Sequence, residues 1–270
     1  MKYFVYTYYV NNCLVYVGKA TGNPYTRYWN HVKKDNYKGA VPFDCVDEIG
    51  IIPFESKVDM EICELFFIVT HKPILNEIDI NPSLSPRLNV IGIPSEKKYS
   101  ISEFLDEFNC GNSGNLTWRK SKISEEFIRC FESRPQKNNH AEAMVSIYYI
   151  HEKVVYLNAT TGRWSMREWV RLMDRFVEEK ADFDMISRIE RYTFGTGAEA
   201  KIFEKYILAS KQPMWCAIDA KSMGEPHFSI ENLPEPFVLE DNELSQVKRA
   251  TADAINSYKQ KKEYYRNKYL

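Results

Sequence analysis

A few polar side chains near the start of the chain could together break a phosphodiester bond. Arg27 and His31 lie four residues apart and share one face of a predicted helix, while Tyr6 and Tyr16 come from two predicted neighbouring strands. Glu64 lies in VDMEICELFFIVT, a segment apolar on more than one helical face, where an ionised carboxylate needs a cation or donors. Phosphodiester hydrolysis needs a divalent ion, a cation on the phosphoryl oxygens and a base for water, and these residue types fit that need. The structural alternative is that Glu64 reaches solvent at the protein surface, and that the tyrosine rings pack in the core while their hydroxyls stay in contact with water.

An internal repeat organises the elements that must position these residues. At an offset of 140 residues, VYTYYVNNCLVYVGKATG (5–22) aligns with VSIYYIHEKVVYLNATTG (145–162). The alignment continues without a gap over residues 3–79, with 18 identities in 77 positions. We interpret the chain as a tandem duplication.

Local signals give each copy the same order of elements. In the first copy they predict strands at Phe4–Tyr9 and Leu14–Val17, a helix from Asn23, a strand at Cys45–Ile52, and a helix from Ser56 to about Thr70. The second copy repeats the hairpin at Val145–Ile150 and Val154–Leu157. Ser56 with Asp59 and Thr196 with Glu199 form matched capping signals, which support the duplication.

The remaining segments are predicted to be helical or connecting. They are helices at Ser102–Phe108 and Glu125–Glu132, a loop at Asn109–Asn115, a connector at 221–238 and a helix at Leu244–Leu270. The expected fold class is α+β. The predicted boundaries are a module at 1–80, a helical and basic linker at 81–140, a second module at 141–220, and a connector with a basic helix at 221–270.

Charge is balanced over the whole chain but clustered locally. The formal net charge is −1, so a polyanion would have to be met by local basic patches. Residues 1–40 carry six bases and one acid, and the Trp118–Lys122 segment and the C-terminal helix add further bases. The predicted nucleic-acid contacts are Lys33, Lys34, Arg119, Lys120, Lys122, Lys259, Lys261 and Lys262. The alternative is a solvated surface whose C-terminal tyrosines pack on the body of the protein.

Composition excludes several other classes of protein. Hydrophobic residues make up 44% of the chain, which argues against disorder. Six cysteines occur without a C-x-x-C pair, so we expect reduced thiols and neither a zinc ribbon nor a disulfide scaffold. We found no run of 18 apolar residues and no signal peptide, so the expected location is cytoplasmic, with no membrane partner.

The pattern resembles the GIY-YIG endonuclease family. The two family triplets correspond to Phe4-Val5-Tyr6 and Tyr16-Val17-Gly18, and are followed by Lys19, Arg27, His31, Glu64 and Asn76 in the family's order. The resemblance implies a three-stranded antiparallel sheet with flanking helices. It further implies that Glu64 holds one Mg²⁺ or Mn²⁺, Arg27 binds the scissile phosphate, and Tyr6 or Tyr16 acts in water activation. Lys19 and His31 would assist, and Asn76 would brace the site.

Two departures from the family pattern limit these assignments. The first triplet keeps only its tyrosine, so choosing Tyr6 rather than Tyr8 depends on the spacing to Tyr16. The second copy keeps Tyr156, Arg167 and Glu204 but has replacements at the other site positions: Ser146 for Tyr6, Asn158 for Gly18, Ala159 for Lys19, Arg171 for His31 and Cys216 for Asn76. We predict that the second copy is inactive or weak and serves as a scaffold, DNA clamp or protein-docking surface. The alternative is that its Tyr/Arg/Glu set still binds a metal.

The leading hypothesis is a metal-dependent DNA endonuclease with one working site in the first copy. RNA is the alternative substrate, and a homodimer is the form that would cut both strands. The rival class is an inactive adaptor or inhibitor that binds nucleic acid or protein through a nuclease-derived fold. Against it stands the set of polar residues in the first copy, which a binding module does not need.

Overall fold

The chain forms two compact units. The structure, a computed structural model, describes residues 2–33, 46–76, 86–108, 143–160 and 166–269. Unit 1 takes residues 1–140 and 225–232, and unit 2 takes 141–224 and 233–270. The predicted loop at Asn109–Asn115, the basic segment Trp118–Lys122 and the predicted helix Glu125–Glu132 lie outside the described residues.

Unit 1 is built on an antiparallel sheet with helices. Its elements are β1 (Tyr3–Val10), β2 (Cys13–Thr21), α1 (Pro24–Lys33), β3 (Glu48–Phe54), α2 (Lys57–His71), β4 (Asn89–Ile91), β5 (Lys97–Ser100), α3 (Ile101–Phe108) and β9 (Ser229–Glu231). The main sheet has four strands in the order β2-β1-β3-β5, and β4 pairs with β9 in a separate two-stranded sheet.

Turn and cap chemistry explains the bounds of these elements. Asn11 and Asn12 both have positive φ, at 49° and 63°, which fits the tight turn that joins β1 to β2. At the start of α2, the Ser56 hydroxyl accepts a hydrogen bond from the Asp59 N–H at 3.2 Å, so Ser56 is the helix cap that the sequence predicts. Lys72 ends α2 in the left-handed region, just before Pro73.

Unit 2 repeats this arrangement. Its elements are β6 (Ala143–Ile150), β7 (Lys153–Thr160), α4 (Met166–Glu178), a 3₁₀ turn (Phe183–Met185), β8 (Arg188–Phe194), α5 (Gly197–Lys211), a second 3₁₀ turn (Met214–Cys216), α6 (Ala217–Met223), β10 (Phe237–Val238) and α7 (Asp241–Tyr269). Its sheet has the order β10-β8-β6-β7.

The two units share backbone register at the offset seen in the sequence. Tyr8 lies opposite Tyr16 in unit 1 and Tyr148 lies opposite Tyr156 in unit 2, and each hairpin has a register shift directly after that first tyrosine. Thr196 caps α5 as Ser56 caps α2. The sequence repeat is therefore a repeat of pairing and capping geometry.

The structure differs from the sequence prediction in three places. Each main sheet has four strands rather than three, because β5 adds to β3 and β10 adds to β8. The segment 221–238 is not only a connector, since it supplies β9 and β10 and the end of α6. The third strand begins at Glu48 and runs to Phe54, later than predicted.

Two sequence expectations can be compared with the described residues. Cys13, Cys63 and Cys216 are free thiols. No helix within the described ranges is both long and apolar enough to cross a membrane.

Candidate functional site

The phenols of the candidate site lie on one face of the unit 1 sheet. Tyr6 and Tyr8 are alternate residues of β1, and Tyr16 lies opposite Tyr8 on β2. The rings of Tyr6 and Tyr16 are 6.0 Å apart between centroids, and His31 from α1 lies 5.8 Å from Tyr6 and 5.5 Å from Tyr16. Helix α1 therefore covers this face of the sheet and brings an imidazole to the phenols.

The Tyr6 hydroxyl joins the side chains from α1. It lies 2.9 Å from His31 Nε2, and it accepts a hydrogen bond from Arg27 Nε at 3.1 Å. Both helical residues thus meet the same oxygen, as their four-residue spacing predicts. The hydroxyl of Tyr6, one of the two candidates for the first-triplet tyrosine, thus contacts both Arg27 and His31.

Burial fixes the protonation of this group. It raises the pKa of the Tyr6 phenol well above its usual value, the nearby Tyr16 raises it further, and Arg27 only partly opposes both effects. Burial acts to lower the pKa of Arg27, but the hydrogen bond to Tyr6 and the neighbouring phenols outweigh it, so that pKa is raised. Tyr6 is therefore a neutral phenol and Arg27 a cation at neutral pH.

Gly18 makes room for Tyr6. The two residues lie opposite each other across β1 and β2, and a Cβ on Gly18 would lie 2.4 Å from Tyr6 Cζ and Oη and 2.9 Å from Tyr16 Cε1. Real atoms do not approach so closely, so only glycine lets the Tyr6 ring lie across β2. In unit 2 the same pair is Ser146 opposite Asn158, a small residue facing a larger one.

Glu64 forms the second group of the site with Lys19. Their Nζ and Oε2 atoms are 2.7 Å apart, with the Lys19 side chain 33% exposed and Glu64 12% exposed. The cation that a carboxylate on an apolar helix requires therefore comes from β2. Lys19 directly follows Gly18 in β2, so the Lys19 side chain lies on the face of the sheet opposite to the one on which Gly18 faces Tyr6. Because β2 is the outer strand of its sheet, both groups flank one sheet edge.

Asn76 fastens this edge. Its Oδ1 accepts the Val17 N–H at 2.9 Å and its Nδ2 donates to the Val17 carbonyl at 2.7 Å. The neighbouring Leu75 N–H donates to the Val15 carbonyl at 2.9 Å. The side-chain amide thus acts as a strand partner and holds β2 between Tyr16 and Gly18.

A divalent ion can be held by a cluster of ligating side chains or by one or two carboxylates together with water and substrate. No group of three or more His, Cys, Asp or Glu side chains suited to a metal is found among the described residues. Mg²⁺, however, is commonly held by one or two carboxylates, with water and substrate phosphate oxygens completing its coordination. Glu64 offers one such carboxylate, and the Lys19 ammonium contacts one of its oxygens.

Among the described residues, unit 2 replaces several parts of this polar arrangement. Tyr156 is buried against Phe176, with ring centroids 4.9 Å apart, and burial raises the pKa of its phenol, with smaller contributions from Cys216, Tyr148 and Glu204. Cys216 stands where Asn76 braces unit 1 and supplies no amide. The side chains of Arg167 and Arg171 lie outside the described residues.

The predicted nucleic-acid contacts are only partly within the structure. The side chain of Lys33 and all of Lys34, Arg119, Lys120 and Lys122 lie outside the described residues. Lys259 and Lys261 are exposed on α7. Lys262 forms an ion pair with Asp174 of α4, so its charge is already matched within unit 2.

Sequence reasoning missed a second polar cluster, around Glu96. Its carboxylate accepts hydrogen bonds from the hydroxyls of Thr7 and Tyr9, the latter at 2.9 and 3.1 Å. A Cβ on Gly50 would lie 2.0 Å from Glu96 Oε1, so this glycine also makes room for a side chain. In unit 2, Glu190 occupies the position of Gly50 and accepts from Tyr149 at 2.7 Å. The exchange of glycine for glutamate between the copies was the sequence signal that could have revealed the cluster.

A contact in unit 1 between distant parts of the chain was also not foreseen. The Asp59 carboxylate is buried at the start of α2, where it accepts the His227 backbone N–H at 3.0 Å and lies 2.6 Å from His227 Nδ1. This contact fastens the segment 225–232 to α2.

Comparisons with models of known protein families, with curated proteins and with solved structures find no match.

Proposed function

We propose that the protein is a divalent-metal-dependent endonuclease that hydrolyses DNA phosphodiester bonds at one site in unit 1. The observation that carries the proposal is the shared Tyr6 hydroxyl, 2.9 Å from His31 Nε2 and 3.1 Å from Arg27 Nε. Its neighbour at the same sheet edge is the Lys19–Glu64 pair. Residues 1–80 and 141–220 would be a working and a degenerate GIY-YIG-like module, joined by the linker 81–140 and followed by 221–270.

The role of the phenol follows from its neutral form. Arg27 donates to the Tyr6 oxygen, which leaves the phenolic proton to point at His31 Nε2 when that nitrogen is unprotonated. Tyr6 therefore acts as a relay: as its oxygen takes a proton from the attacking water, its own proton passes to His31 Nε2. A relay of this kind needs no free phenolate, in keeping with the raised pKa of Tyr6.

The cations have separate roles. Arg27 would contact the phosphoryl oxygens, and because it is held by Tyr6 it is oriented before substrate arrives. Glu64 would hold Mg²⁺ or Mn²⁺, which when bound would offset charge on the phosphoryl group and acidify a bound water. Lys19 would leave Glu64 to the metal and turn to the substrate.

The test uses the full chain with supercoiled plasmid, single-stranded DNA and RNA, each with Mg²⁺ or EDTA. We expect metal-dependent cutting of DNA, and a loss of about 10²–10³-fold in Glu64→Gln, because the charge at the site is removed while its shape remains. The matched control is Glu204→Gln, the equivalent change in unit 2, which should leave the rate unchanged. Equal loss in both variants would contradict a single site, and cutting in EDTA would contradict the metal.

One observation favours a second candidate, a binding adaptor without catalysis. The Glu64 carboxylate is already matched by Lys19 at 2.7 Å, as a purely structural ion pair would be. An adaptor should leave all three polynucleotides intact under every condition, yet still bind DNA with an affinity that falls steeply with salt.

A further inference from the structure

A short segment late in the chain forms part of unit 1. Residues 225–232, which we call the strap, belong to unit 1, although the residues before and after them belong to unit 2. Within the strap, β9 (Ser229–Glu231) pairs with β4 (Asn89–Ile91) in an antiparallel sheet of two strands. A pair of strands this short is only marginally stable by itself, so other contacts must help to hold the strap on unit 1.

One apolar and one polar contact supply this hold. The buried ring of Phe228 packs edge-on against Phe54 at the end of β3, with centroids 5.7 Å apart. On the polar side, His227 donates its backbone N–H to Asp59 Oδ1 at 3.0 Å, and its Nδ1 lies 2.6 Å from Asp59 Oδ2. Both oxygens of one carboxylate on α2 therefore contact one residue of the strap.

The two partners in the polar contact differ in their exposure to water. The Asp59 side chain is 3% exposed, whereas the His227 side chain is 60% exposed. A buried carboxylate is costly without donors or a cation, and an exposed imidazole exchanges protons with solvent near neutral pH. The contact therefore joins a carboxylate that needs a partner to a partner whose charge depends on pH.

Acids from three places act on His227. The hydrogen bond and the charge of Asp59 on α2 raise the pKa of His227 above its usual value; burial opposes them, and Glu55 before α2 and Glu225 in the strap add to the rise. The bound strap therefore favours the cationic ring. By linkage, the extra stability of the bound strap is fully present below the unfolded pKa of about 6.5 and is lost as pH rises through the folded pKa.

Unit 2 satisfies the equivalent acid locally. Glu199 lies 140 residues after Asp59, is buried, and accepts a hydrogen bond from the hydroxyl of its own helix cap, Thr196, at 3.0 Å. An acid at this position can thus be satisfied within its own cap. The contact of Asp59 with the strap is therefore not something that the repeated fold requires.

We propose that the strap responds to pH: it is held on α2 and β4 when His227 is a cation, and it opens more often when His227 is neutral. Opening would separate β9 from β4 and expose the Asp59 carboxylate to solvent. The Phe228 packing and the His227 backbone N–H do not titrate, so loss of the charge shifts the opening equilibrium rather than releasing the strap outright. The inference holds whether or not unit 1 cuts DNA.

Amide hydrogen exchange of the full chain, followed by NMR at β4 and β9 and corrected at each pH for the intrinsic exchange rate, measures this opening. We expect the opening constant to rise about two- to fivefold between about pH 5.5 and about pH 8.5, the range for an ion pair that is open to solvent. The amides of β9 should also exchange faster than those of β1, because the strap has few contacts and opens without the main sheet.

Two substitutions separate the charge from the hydrogen bond. His227→Asn keeps a neutral donor near the position of Nδ1, and its opening constant should be high and independent of pH. His227→Lys keeps a cation up to about pH 10, so its opening should also be independent of pH over this range. The matched control is His151→Asn, in the exposed β6–β7 turn of unit 2, where asparagine tolerates the φ of 52°. This control should keep the pH dependence of the wild type.

Three results would overturn the proposal. The first is a wild-type opening constant that does not change with pH, or one whose pH dependence persists in His227→Asn. The second is an NMR titration in which His227 has the same pKa in the wild type and in Asp59→Asn, because the carboxylate would then not favour the cationic ring. The third is equal exchange of β9 and β1, because the strap would then open only when the whole unit unfolds.

Discussion

Replacing Gly18 with alanine tests the packing on which the site depends. The new Cβ would lie 2.4 Å from the Tyr6 hydroxyl and ring, so the ring must move by about 1 Å to reach an ordinary contact. Overpacking of this kind costs about 2 kcal/mol, which lowers the Tm of unit 1 by about 4–8 °C. The same shift lengthens the contacts of Tyr6 with His31 and Arg27, now 2.9 and 3.1 Å. If the proposed function holds, displacement by about 1 Å slows plasmid cutting about 100-fold.

The assays are calorimetry for stability and single-turnover cutting of plasmid for activity. In a double-mutant cycle, Gly18→Ala should destabilise the protein less in a Tyr6→Ser background than in the wild type, since the clashing ring is absent there, as it is at Ser146 opposite Asn158 in unit 2, and neither Tyr6→Ser protein should be active. The control Asn158→Ala should change neither measurement by much. A Gly18→Ala protein with wild-type Tm and wild-type rate would refute the close packing of Tyr6 on β2.

Three further changes probe contacts of unit 1. Gly50→Ala should destabilise it by about 1–3 kcal/mol in chemical denaturation, because the Cβ would lie 2.0 Å from Glu96 Oε1; an unchanged midpoint would contradict this. Asn76→Ala should cost about 1–3 kcal/mol, and hydrogen exchange should show faster opening of β2, since two backbone hydrogen bonds at 2.9 and 2.7 Å are lost. The hydrogen bond to Asp59 raises the pKa of His227, so its stabilisation is fully present below the unfolded pKa of about 6.5 and is lost as pH rises through the folded pKa. His227→Ala should therefore lower Tm more in mildly acidic than in alkaline buffer, and a pH-independent difference would contradict the pairing.

Local sequence signals predicted the parts of the fold that local chemistry determines. They are the hairpin of β1 and β2, the Ser56 and Thr196 caps and the helix predicted at Ser102–Phe108, which begins one residue earlier; each depends on residues close together in the chain. The equal register of both hairpins agrees with the gapless repeat, because an insertion would have shifted one of them. The burial of Glu64 on an apolar helix also implied a partner, which the structure identifies as Lys19.

Pairings between distant segments could not be read in this way. Strand β5 has only four residues, mostly exposed, so it lacks the alternation that marks a half-buried strand. Strand β9 pairs with β4 across more than a hundred residues of sequence, and the Asp59–His227 contact accompanies it. Glu96 reaches Thr7 and Tyr9 only because Gly50 leaves space, which is a property of packing.

The most direct test of the proposed chemistry is a crystal of the full chain soaked in manganese, with anomalous scattering measured at the metal. We predict an anomalous peak within bonding distance of the Glu64 carboxylate, absent from a Glu64→Gln crystal, with Lys19 Nζ displaced from its present 2.7 Å contact. A fully soaked crystal with no peak at Glu64 and Lys19 unmoved would contradict a metal-dependent site in unit 1.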